Sequence, residues 1–202
     1  MRFWAGLAGA VMALAVAAGA AKAQTGRYYD PVSRSWQEYR ITPEAAGKIA
    51  RAKYKRTVVG YRTQQKPGSV VVDTRERYLY YVMPGGKAMR YGIGVGREGF
   101  GWSGAEKVTR KAKWPGWTPP PEMIVRERKK GRKLPAHMPG GPKNPMGARA
   151  LYLGSTEYRI HGTNEDWSIG QAVSSGCIRM LNEDVEDLYE RVNVGATVVV
   201  RQ

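Results

Sequence analysis

Ile160-His161-Gly162-Thr163, followed after residues 164–173 by Ser174-Ser175-Gly176-Cys177-Ile178-Arg179-Met180, concentrates the reactive chemistry of this 202-residue chain into one short region. Cys177 is the only cysteine, so it cannot form an internal disulfide. It is either a small buried hydrophobe, the commonest fate of an isolated cysteine, or a reactive thiol. The flanking Ser-Ser-Gly is unlike a core strand and favours the second reading. A thiol with a pKa of ~8.5 is only slightly ionised at neutrality, and an imidazole within hydrogen-bond reach overcomes this by taking the proton. His161 is the histidine nearest in sequence; the other, His137, lies among prolines. Gly176 lets the backbone approach a substrate closely, so the amides of Ser175, Gly176 and Cys177 can converge on a developing oxyanion. Arg179 is either a fixed cation for a substrate carboxylate or half of a structural ion pair under the turn.

Outward from this region the signals are mostly strands. Ala150-Leu151-Tyr152-Leu153 and Tyr158-Arg159-Ile160 flank Gly154-Ser155-Thr156, a hairpin pattern that leaves His161 where the second strand runs out. Upstream, Ser69-Val70-Val71-Val72, then Tyr78 to Val82, then the alternation of Met89, Tyr91, Ile93 and Val95 read as a meander. Downstream, Asn182 is a candidate helix cap with Glu183 and Asp184 in the first turn. Val185, Leu188, Tyr189 and Val192 make one apolar stripe. Gly195 ends that helix, and Thr197 to Val200 is a closing strand. The expected domain is mostly β with one clear C-terminal helix, and it starts near Gly68.

Residues 107–149 hold eight of the twelve prolines and twelve Lys or Arg against two Glu. This composition predicts a long irregular loop with few regular strands. Trp114 and Trp117 are costly to leave in water, which favours a loop folded over a groove and makes both candidates for substrate binding. Residues 24–67 read as an N-terminal extension, with a short helix at Pro43-Glu44-Ala45-Ala46 that Thr42 can cap.

Arg2, the apolar run from Phe3 to Ala21 and Ala21-Lys22-Ala23 have the pattern of a secretory signal with an A-x-A cleavage site, residues 1–23. Its removal takes away two basic residues and no acid, so the net charge of +16 becomes +14. Export argues against nucleic acid as the partner of this charge. An envelope rich in anionic polymers and lipid headgroups would attract it by the same long-range field, and a merely solubilising surface is the other reading. No stable membrane span is expected after cleavage. Two histidines and one cysteine cannot complete the usual zinc sets, and Gly92-Ile93-Gly94-Val95-Gly96 lacks the strand-to-helix context of a dinucleotide loop, so no cofactor is expected.

His161-Gly162-Thr163 followed by Ser174 to Met180 resembles the signature of the L,D-transpeptidase catalytic domain, the YkuD-type family. The similarity extends through Val70-Val71-Val72-Asp73, Gly94-Val95-Gly96 and Asn144-Pro145-Met146-Gly147-Ala148-Arg149-Ala150-Leu151-Tyr152, over roughly residues 68–202. The resemblance implies a β-sandwich or barrel-like fold, a periplasmic or cell-wall location and action on peptidoglycan stem peptides, with a stem or an outer-membrane protein as acyl acceptor. By position it makes Cys177 the nucleophile, His161 its base and the Gly162 carbonyl the group that orients the imidazole. Many members carry His where this chain has Ser175, which leaves the backbone amide there as the feature in common. It also implies peptide transfer, with an L,D-carboxypeptidase, a crosslink hydrolase or a non-catalytic wall-binding module as the alternatives.

Overall fold

The computed structural model describes residues 24–30, 34–98 and 101–202; the expected export signal, 1–23, lies outside them. The segment before the main domain contains regular structure. Strands β1 (Gln24–Asp30) and β2 (Ser35–Ile41) form an antiparallel hairpin, and α1 (Pro43–Lys53) follows. Thr42 caps α1 as its sequence suggests, its hydroxyl accepting from the Ala45 N–H at 3.2 Å. Strand β3 (Thr57–Gly60) then joins the edge of the main sheet.

The expected meander forms as β4 (Val70–Asp73), β5 (Tyr78–Met83) and β6 (Lys87–Gly92), each antiparallel to the next. The alternation stops at Gly92 and resumes in β7 (Val95–Gly96), which leaves this sheet. Strand β8 (Gly104–Lys113) follows, then α2 (Pro121–Lys129). The expected hairpin is β9 (Arg149–Leu153) against β10 (Arg159–His161), closed by a turn in which Gly154 has φ +57°. A single 3-10 turn at Asp166–Ser168 leads to β11 (Ala172–Ser174), β12 (Ile178–Arg179), α3 (Asn182–Arg191) and β13 (Thr197–Arg201).

Nine strands share one mixed sheet in the order β12-β10-β9-β8-β13-β4-β5-β6-β3, while β11 and β7 pair separately in parallel. The mostly β architecture expected from the sequence is therefore present. Strand β4 reads as an apolar run because both of its faces are covered. Val70, Val72, Leu79, Leu151, Leu153, Ile160 and Val198 pack on one face beneath α3, which contributes Val185 and Leu188, with Val192 just after it. Val71, Tyr80 and Val82 fill the other face under Val59 and Tyr61, so the segment around β3 roofs that side.

Two expectations need correction. The stretch from residue 107 is not irregular at its start: Lys107 to Lys113 complete β8, which lies inside the sheet between β9 and β13, and α2 interrupts the remainder. Asn182 does not cap α3. Leu181 occupies that position, and the Asn182 side chain accepts instead from the Ala148 N–H at 2.9 Å, tying the helix to the loop in front of β9.

The first turn of α3 carries a stored electrostatic cost. Asp184 is buried, its Oδ2 has no hydrogen-bond partner, and Arg56 stands 3.7 Å from Oδ1. Burial pushes its pKa up to about 6, Arg56 opposes this, and Glu183 and Asp187 add to it. A carboxyl whose folded pKa lies above its ordinary value of 3.8 removes stability as pH rises through that window, and the loss persists above it. Asp184→Asn is expected to stabilise the fold at pH 7 by up to about 3 kcal/mol and to have little effect at pH 4. Thermal midpoints at the two pH values check this; an equal shift at both would mean the carboxylate is not the cause.

Candidate active site

Strands β10 and β12 run parallel, with Ile160 opposite Ile178 and His161 opposite Arg179. Alternation along each strand sends Ile160, Ile178 and Met180 into the core, where all three are buried. The same alternation turns Arg159, His161, Cys177 and Arg179 to the opposite face. Two short strands, each with one isoleucine in the core, thus bring the histidine and the cysteine to one side of the sheet. Their pairing also holds the turn before β12 beside the end of β10.

That turn is held by a side chain the sequence reading did not single out. The Ser174 hydroxyl donates to the Cys177 carbonyl at 2.6 Å and accepts from the Gly176 N–H at 3.2 Å. Gly176 has φ +108°, a conformation that L side chains rarely adopt, which accounts for glycine before the cysteine. The Gly176 amide is therefore engaged inside the turn. Among the described residues the Ser175 and Cys177 N–H groups have no acceptor, and these two remain for a ligand oxygen. The only signal in the sequence was a serine two positions before a glycine, a pattern common to many turns.

His161 is 5% exposed. Its Nδ1 lies 2.6 Å from the Gly162 carbonyl. A carbonyl only accepts, so Nδ1 carries the proton and Nε2 is left as the basic nitrogen. Burial pushes the imidazole pKa down to about 3, Arg179 and Arg159 push the same way, and the Gly162 and Met146 backbone opposes them. The covering loop is Asn144–Gly147. Buried Asn144 donates to the Met138 and Pro139 carbonyls and accepts from the Met146 N–H, which folds the loop onto the histidine. A Cβ on Gly147, at φ +62°, would stand 2.5 Å from the Gly162 carbonyl carbon, so only glycine allows this approach.

Cys177 is partly exposed and its Sγ donates to the Glu157 carbonyl at 3.7 Å; no hydrogen bond joins it to His161. Burial raises the thiol pKa, while Arg159 and Arg179 act against that rise. The resting pair is thus a neutral thiol beside a neutral imidazole. Two pH profiles follow. With His161 depressed from 6.5 to about 3, the folded chain holds it neutral down to well below pH 6, so the acid limb of kcat/KM is expected below pH 5. With the thiol raised, alkylation of the free enzyme by iodoacetamide should climb past pH 8.5 without a plateau between pH 5 and 8. A plateau from pH 5 upward would mean a resting thiolate–imidazolium pair.

Arg179 donates from Nη1 to Glu165 at 2.7 Å. Trp114 donates its backbone N–H to the Ala148 carbonyl and is 42% exposed, and Trp117 exchanges backbone hydrogen bonds with Met138. His137 bonds to Thr118 at 3.0 Å in the same loop. The long segment reaches the cysteine turn through α2, where Arg126 donates to the Ser175 hydroxyl at 3.2 Å. Nothing in the sequence pointed to Arg126. Among the described residues no group of three His, Cys, Asp or Glu could hold a metal ion, and no helix is long and apolar enough to cross a membrane.

Comparison with known proteins identifies the family. Residues 67–200 match the L,D-transpeptidase catalytic domain. The probable L,D-transpeptidase YbiS of Escherichia coli is 43% identical over 134 residues, 64% of this chain and 43% of YbiS. The probable L,D-transpeptidase ErfK/SrfK of the same species is 41% identical over 136 residues, 65% of this chain and 43% of that protein. The match thus spans less than half the length of these relatives. In fold, L,D-transpeptidase 3 from Mycobacterium tuberculosis is similar with a TM-score of 0.50 at 16% identity, over 66% of this chain and 60% of that one. With two thirds of its length matched by the family model, this chain belongs to the L,D-transpeptidase catalytic domain family.

Proposed function

We propose that the chain is a peptidoglycan L,D-transpeptidase, exported through residues 1–23 to the periplasm or cell wall, with its catalytic domain in residues 68–202 and an extension in 24–67. The observation that carries this reading is the shared face of His161 and Cys177, with the Nδ1–H of His161 held by the Gly162 carbonyl and Nε2 free to act as base. The thiol leaves Glu157 by a side-chain rotation and gives its proton to Nε2 as Sγ attacks the carbonyl of the third stem residue. Such hydrogen bonds are often absent in ligand-free sites and form with substrate. The oxyanion meets the Ser175 and Cys177 N–H groups. Collapse breaks the peptide bond, and the proton on His161 passes to the departing amine of D-alanine. An acceptor amine, from a second stem or an outer-membrane protein, then attacks the thioester and returns the thiol.

Arg179, ion-paired with Glu165, stiffens the strand that carries the turn and keeps positive charge near the developing oxyanion. Because the site needs only an activated acyl donor, a carbapenem-type β-lactam should open on Cys177. Intact mass should rise by the mass of the drug, and Cys177→Ala should show no increase. An increase retained in that variant would place the nucleophile elsewhere.

A further inference from the structure

The face that carries Cys177 also carries a row of side chains in register across four neighbouring strand positions. Arg110 of β8 pairs with Tyr152 of β9, and Tyr152 pairs with Arg159 of β10. Since Ile160 pairs with Ile178, the next position in the row is Cys177. The row is built as a unit. The Arg110 guanidinium lies 3.5 Å from the Tyr152 ring centroid and that of Arg159 lies 5.5 Å from it, so one ring holds two cations. Their neighbours on the strands face the other way: Lys111 donates to the Tyr189 and Val192 carbonyls at the end of α3, and Leu151 is buried in the core. With strands ~4.8 Å apart, the two guanidinium-bearing positions lie roughly 5 and 15 Å from the cysteine along a straight line over the sheet.

Two cations fixed at such a spacing suit an extended chain with more than one carboxylate. Tyr152 keeps both guanidinium groups oriented, which lowers the entropy lost when each takes a planar carboxylate. Glu157 pairs with Arg159 at 3.0 Å. Its side chain is 84% exposed, so the pair is screened by water and a ligand carboxylate can displace it.

We propose that Arg110, Tyr152 and Arg159 form a carboxylate-reading track that binds the acyl-donor peptide across the sheet face and selects stems with free carboxylates over stems whose carboxylates are amidated. This rests on the transpeptidase reading for the identity of the peptide, but its recognition chemistry does not depend on turnover.

The test is calorimetric binding to full-length Cys177→Ala, using a stem tetrapeptide with free carboxylates and the same peptide with its side-branch carboxylates converted to carboxamides. The free acid should bind about tenfold more tightly than the amide. Arg110→Gln, at an exposed position, should bring the two within about threefold, and Arg110→Lys should keep part of the preference. Arg159→Gln should act in the same direction, with a thermal midpoint measured to show that it folds. Equal affinities for the two peptides, no measurable binding of the acid, or a preference untouched by Arg110→Gln would overturn the track. Acylation of the wild-type chain by the peptide, followed by mass, tests the transpeptidase reading separately. If acylation occurs without a carboxylate preference, only the track fails. A preference governed by Arg110 in a chain that no stem acylates would sustain the track as an anionic-peptide site and sink the transferase.

Discussion

Cys177→Ala is expected to lose acyl-enzyme formation entirely and to lower turnover of tetrapeptide stems by roughly 10⁵- to 10⁶-fold, the scale seen when a covalent nucleophile is removed. The thermal midpoint should barely move, because the side chain is small, partly exposed, and its one hydrogen bond is a long contact to the Glu157 carbonyl. The turn itself is held by Ser174 and Gly176, which the substitution leaves in place. Rates measured by release of D-alanine, with intact mass in parallel, check both halves. Near-normal turnover would show that the thiol is not the nucleophile.

His161→Ala comes second in size. Loss of the base should cost about 10³- to 10⁴-fold in acylation rate. Its signature is pH dependence: without Nε2 the thiol must ionise unaided, so the deficit should narrow as pH rises toward the thiol pKa, which burial holds above its ordinary value. A merely structural role for this buried ring would give a deficit that does not vary with pH. His137→Ala, altering a ring that bonds to Thr118 in the long loop, should be mild. If His137→Ala were the more damaging change, the long loop would carry the base.

Much of the architecture was legible because periodicity records burial directly. Val70–Val72, the 150–160 hairpin and the Val185-Leu188-Val192 stripe all lie where their patterns put them, since each pattern is the trace of one face meeting the core. Strand β8 was hidden for a physical reason. Lys107, Arg110, Lys111 and Lys113 look like loop residues, yet Arg110 stacks on Tyr152 and Lys111 reaches the carbonyls at the end of α3. Long cationic side chains can occupy an interior strand when their ends find distant partners, and local composition does not record those partners. The same limit applies to Asn182, whose cap-like position is overridden by Ala148, and to the Arg126–Ser175 hydrogen bond between segments 49 positions apart.

At the site, the residue types and their order were readable, and the hydrogen bonds that tune them were not. The Gly162 carbonyl follows from the motif. The Ser174 clamp, which engages the Gly176 amide and the Cys177 carbonyl, depends on a turn geometry that three letters do not encode.

Whether the thioester is passed to an amine or lost to water depends on which is better positioned, an effective-concentration effect worth up to ~7–11 kcal/mol for well-oriented groups. The most direct measurement is to incubate residues 24–202 with disaccharide tetrapeptides and identify the products by mass. A crosslinked dimer lacking one D-alanine is the predicted result; tripeptide alone, with acceptor in excess, would contradict transfer and make the chain a carboxypeptidase.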